Sequence, residues 1–135
     1  MNHILHLEMK IFWKEIQYFL SKFNADINRS VNNVISNISC NSNESFPLNG
    51  YLSLARSIDS NELAIVINVH LIDDTLNITS DACMEDGRII NKGPSVQLPA
   101  STFSMDNIVV SNWLHEFSSF LDNEKENITT ELLHG

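Results

Sequence analysis

Across residues 62–72 a large aliphatic side chain recurs at every second position. Leu63, Ile65, Ile67, Val69 and Leu71 share one side, and Glu62, Ala64, Val66, Asn68 and His70 share the other. Such alternation, rich in β-branched residues, predicts a half-buried strand. Asp73-Asp74 is a short polar break suited to a hairpin turn. The pattern then resumes, with Leu76, Ile78, Ser80, Ala82 and Met84 inward and Thr75, Asn77, Thr79, Asp81 and Cys83 outward. Glu85-Asp86-Gly87 predicts the next turn, the glycine supplying positive φ. Arg88-Ile89-Ile90 opens a further strand. Gly93-Pro94 predicts a bulge or a sheet edge, Val96-Gln97-Leu98 resumes the strand, and Pro99 stops it. Upstream, Asn49-Gly50 is a turn and Tyr51–Ile58 reads as the first strand, with Asp59-Ser60-Asn61 turning into the next. The expectation is a four-stranded antiparallel meander.

A different period flanks it. Leu5, Met9, Phe12, Ile16, Phe19 or Leu20, and Phe23 repeat at helical spacing and predict an amphipathic helix over 4–23. Asn24-Ala25-Asp26 reads as a break. A second helical pattern follows, Ile27, Val31, Val34 or Ile35, and Ile38, either a separate helix or a continuation of the first. After Pro99, Ser101 or Ser104 can cap a last helix whose stripe is Val110, Trp113 or Leu114, Phe117, and Phe120 or Leu121. Residues 122–135 read as a frayed acidic tail. The fold class expected is α+β, one domain over 1–135, with the helices on one sheet face.

Composition narrows the role. Hydrophobic residues make up 43% of the 135, and no apolar run reaches the length of a membrane helix. Glu8 and Lys10 interrupt the first apolar residues, so no secretory signal is expected, and the two cysteines, Cys40 and Cys83, fit a reduced, cytoplasmic chain. Charge is uneven. Residues 1–58 hold four acids and five bases, net +1; residues 59–135 hold thirteen acids and three bases, net −10. That balance disfavours a nucleic-acid partner, whose phosphates need Lys and Arg, and favours a basic protein. Acidity also simply keeps a protein soluble.

Candidate chemistry is thin. His3 and His6 are three apart but lack a third metal ligand, and His115-Glu116 lacks the second histidine of a zincin helix. His70 points outward near where Asn77 or Asp81 would sit across the hairpin, with no nucleophile beside it. Cys83 lies beside Asp81 and Glu85, acids that raise a thiol pKa and argue against a thiolate nucleophile. No enzyme, cofactor or metal is expected. What remains is acidity. Asp73, Asp74, Asp81, Glu85, Asp86, Glu116 and Asp122, with Glu124, are candidates for a partner-binding surface, although an ordinary solvated turn explains any single one of them.

The acidic meander ending Ser80-Asp81-Ala82-Cys83-Met84-Glu85-Asp86-Gly87, then Lys92-Gly93-Pro94-Ser95, then Trp113-Leu114-His115-Glu116-Phe117, resembles small bacterial immunity proteins of contact-dependent and polymorphic toxin systems. The resemblance covers about residues 62–121 and brings no catalytic residues with it. It implies a protein, monomer or weak dimer, that binds a cognate toxin domain, commonly a nuclease, and blocks its active site. The helix–meander–helix layout also resembles type III secretion chaperones, which hold an effector segment, usually as dimers.

Placing a charge on the predicted inner face tests the strand reading. Ile67→Asp is expected to abolish cooperative thermal unfolding, because it buries an unpaired carboxylate. A transition near the parent midpoint would refute the assignment.

Overall fold

The computed structural model describes residues 3–40, 45–57, 60–84 and 86–134. Helix α1 spans His3–Ser30 and buries Leu5, Met9, Phe12, Trp13, Ile16, Leu20, Phe23 and Ile27 along one side. It does not break at 24–26. Phe23 and Ile27 carry the apolar stripe through that point, and the polar residues there find partners. The Asn28 amide donates to the Asn24 carbonyl at 2.7 Å, and Asp26 pairs with Arg29 at 2.9 Å. In the connection to the first strand Asn33 has a φ of 62°, which an asparagine tolerates.

Six strands follow: β1 Ile35–Cys40, β2 Leu48–Ala55, β3 Leu63–Ile72, β4 Thr75–Met84, β5 Ile89–Lys92 and β6 Val96–Pro99. They form one antiparallel sheet in the order β1-β2-β3-β4-β5, with β6 also on β4. The meander is therefore longer than four strands. Two causes account for the difference. β1 comes from the segment with Val34, Ile35 and Ile38, whose spacing of three to four also suits a helix. Its β-branched and Asn/Ser composition favours the extended chain. Gly93-Pro94 splits the last strand into β5 and β6. β2 begins at Leu48, three residues before the expected Tyr51, and Ile58 and Asp59 lie outside the described residues.

The β3–β4 hairpin has the expected register, Leu63 opposite Met84 and Ile72 opposite Thr75. Its two turn residues, Asp73 and Asp74, have φ of 49° and 63°. That left-handed pair matches the twist of the strands it joins. Leu63, Ile65, Ile67, Val69, Leu76, Ile78, Ser80 and Ala82 are buried on one face, together with Leu52 and Leu54 of β2.

Both helices cover that face. Helix α2 spans Ile108–His134. Its cap is Asn107, whose Oδ1 accepts from the Val109 amide at 2.8 Å, rather than Ser101 or Ser104; Ser104 Oγ instead accepts from Asp106. Val110, Trp113, Phe117 and Leu121 are buried, as are Glu124, Ile128 and Leu132. Residues 122–134 are thus a docked helical extension, not a frayed tail. The acidic composition concealed a stripe at 121, 124, 128 and 132.

The two helices run parallel. Glu8 accepts from the Met105 amide at 3.1 Å, Phe12 meets Trp113 at 5.6 Å between ring centroids, Phe19 meets Phe117 at 6.4 Å, and Lys125 reaches Asp26 at 2.7 Å. Between β5 and β6, the Pro94 carbonyl accepts from Ser80 Oγ at 2.8 Å and from Trp113 Nε1 at 3.0 Å. Gly93 is required at this crossing, because any Cβ there would meet Ser80 Oγ and the Phe120 ring.

Ile128 is 1% exposed. Ile128→Ala is expected to cost about 2–5 kcal/mol in denaturant unfolding, as for other buried isoleucines. A loss below about 0.5 kcal/mol, the range of surface changes, would mean that residues 122–134 do not dock.

Candidate functional site

With the helices occupying one face, the second face of the sheet has no helix or strand over it among the described residues. It is built from outward positions of the central strands: Asn49, Tyr51 and Ser53 of β2, Ala64, Val66 and Asn68 of β3, and Thr79, Asp81 and Cys83 of β4. Apart from exposed Asn49, these residues are half-buried without a helix or strand over them among the described residues, because side chains lie low against their cross-strand neighbours. Around Tyr51, Ala64, Val66, Asn68 and Cys83 the surface sinks into a shallow depression of about 430 Å³. Asn37 of β1 donates to the Tyr51 hydroxyl at 3.2 Å and steadies the phenol at its rim.

One end of this face is acidic. Burial pushes the Cys83 thiol above its ordinary value, and the carboxylates of Asp81, Asp86 and Glu62 push it further in the same direction. Three acids therefore surround one thiol. Burial also raises the Asp81 carboxyl, opposed by Lys92, its cross-strand partner on β5. An un-ionised thiol is a poor nucleophile, so the arrangement suits recognition better than covalent chemistry.

The acidic residues singled out in the sequence separate into several places. Asp81 and Asp86 belong to this end of the open face. Asp73 and Asp74 form the turn at the other end of the β3–β4 hairpin, about 30 Å away at the rise of a strand. Glu85 lies outside the described residues. Glu116 and Asp122 stand on α2, in the helical layer, and Asp122 is paired with Lys125 at 3.1 Å. Glu124 is not on a surface at all. It is buried, with Oε1 accepting from Asn91 Nδ2 at 2.9 Å and Oε2 without a hydrogen-bond partner among the described residues. Glu62 joins the cluster unexpectedly. Its outward parity was readable, but its closeness to Asp86 depends on the hairpin register.

The other candidates gain little. His70 is exposed opposite Asn77, four positions along the hairpin from Asp81. The His3 side chain lies outside the described residues. Among the described residues, no group of three His, Cys, Asp or Glu could hold a metal ion. Among the same residues, no helix is long and apolar enough to cross a membrane.

A second surface feature lies in the helical layer. A groove of about 520 Å³ between α1 and α2 is lined by Ile11, Lys14, Glu15, Phe19, Met105 and Leu114. Ile4, Leu7 and Ile11 are exposed on α1, as is Ile108 at the start of α2. No protein family, curated protein or solved structure matches this chain.

The acidic surround makes a prediction about the thiol. In a Cys40→Ser background, Cys83 is expected to alkylate at pH 8 more slowly than a free cysteine. Asp81→Asn with Glu62→Gln is expected to speed the reaction, since removing the carboxylates lowers the thiol pKa and raises the thiolate fraction. Unchanged rates in the double variant would place the acids too far away to matter.

Proposed function

We propose that this chain is an inhibitory binding protein of the immunity type. It engages a cognate toxin domain of basic surface, commonly a nuclease, and blocks its active site or substrate channel. The supporting observation is the uncovered sheet face with Glu62, Asp81 and Asp86 gathered at one end. A sheet braced from behind by two helices is a preorganised surface, and a rigid surface loses little conformational entropy on docking. Tyr51 offers a broad amphipathic anchor beside the depression. The carboxylates stand where a nuclease would hold substrate phosphates, and the net −10 of residues 59–135 steers a basic partner toward them.

A second reading has its own observation. The groove between α1 and α2, with Ile4, Leu7 and Ile108 exposed nearby, suits an amphipathic segment laid between helices. It supports a secretion-type chaperone.

Co-expression with the products of neighbouring genes separates the two readings. The immunity reading expects a one-to-one complex with a basic, toxic domain. A complex with a segment disordered on its own supports the chaperone. Within the first, Glu62→Lys, Asp81→Lys and Asp86→Lys together are expected to slow association at low salt by about tenfold or more and to flatten its salt dependence. An unchanged on-rate would exclude this end of the face from the interface.

A further inference from the structure

Strand β1 is one end of the sheet. Its residues, Ile-Ser-Asn-Ile-Ser-Cys, contain no charge and no proline, and all six positions pair with β2 without a bulge. Four of the six, Ile35, Ser36, Asn37 and Ser39, are exposed. In an antiparallel strand, alternate residues direct their N–H and C=O away from the neighbour. On β1 those groups point outward along a regular edge. Natural sheets guard such edges with lysines, prolines, bulges or very short strands. The opposite edge of this sheet has all of these: a bulge between Ala82 and Cys83, Lys92, Gly93-Pro94 and two four-residue strands. The edge at β1 has none.

Charge selects what can pair there. The acidic excess lies in residues 59–135, which build β3 to β6 and α2, whereas residues 1–58, which build α1, β1 and β2, are net +1. A strongly basic partner is drawn to the other side of the molecule. A second copy of this chain, net −9, is repelled by the part built from residues 59–135, and the β1 edge lies in the near-neutral part. We propose that β1 is a self-association edge, at which two copies pair antiparallel about a twofold axis and continue the sheet from one protomer into the next. Residues opposite each other must share a face, so the axis passes through Asn37 or Ile38, and the strand meets itself without any charge repulsion. Both open faces then lie on the same side of one extended sheet. This inference is independent of the partner proposed above.

Sedimentation equilibrium of the full chain across the micromolar range tests it, and a dimer mass is expected. Asn37→Lys sets two like charges opposite or diagonal to each other across the junction and is expected to weaken the dimer by at least about tenfold. Mixing it with Asn37→Asp is expected to restore the dimer, a rescue that a misfolded variant would not show. Three results overturn the inference: a monomer throughout, failure of the mixture to recover dimer mass, or a dimer insensitive to Asn37→Lys but lost in Leu7→Glu. The last would place the contact on the exposed stripe of α1.

Discussion

One carbonyl ties the layers of this protein together. The Pro94 oxygen accepts from Ser80 on the central hairpin and from Trp113 on α2. A buried carbonyl and a buried indole N–H each cost free energy when left unpaired, and here each answers the other. The crossing also explains an inward serine in a strand of apolar inward residues, because Ser80 is the donor that reaches Pro94. Trp113, fixed by that bond, stacks on Phe117 at 5.2 Å and touches Phe12 of α1. One path from sheet to α2 to α1 thus runs through the Pro94 carbonyl and a seam of rings.

The parts legible in the sequence are those where local pattern and final environment agree. The β3–β4 hairpin has alternation, β-branched residues and a two-residue acidic turn pointing one way, and its register follows. The stripe of α1 is equally plain. β1 was hidden because its apolar residues recur at a spacing two periods can share, and only pairing with β2 decides between them. The last turns of α2 were hidden for the opposite reason. Their composition is polar, and two buried apolar positions, Ile128 and Leu132, acquire meaning only when a groove exists to receive them. The acidic cluster was half legible. Asp81 and Asp86 are near in sequence, but Glu62 reaches them only through strand pairing, and Glu124 was read as surface when its carboxylate is buried against Asn91.

Charge and topology divide the molecule in the same place. The near-neutral part of the chain forms α1, β1 and β2, and the acidic part forms the rest. The surface proposed for a basic partner has its acids at the end of β3 and β4, and the edge proposed for self-pairing is β1, on the far side of β2.

The parallel course of the helices has a consequence for how the protein is made. Phe12 packs on Trp113 and Phe103, and Glu8 meets Met105, contacts between residues about a hundred positions apart. On a ribosome adding about 5–20 residues per second, the apolar side of α1 waits on the order of ten seconds for its partners. The hairpins can form meanwhile from local contacts. Until the second helix arrives, α1 can cover the sheet only where it packs on β1 and β2, and its rings that meet Phe103 and Trp113 stay without those neighbours.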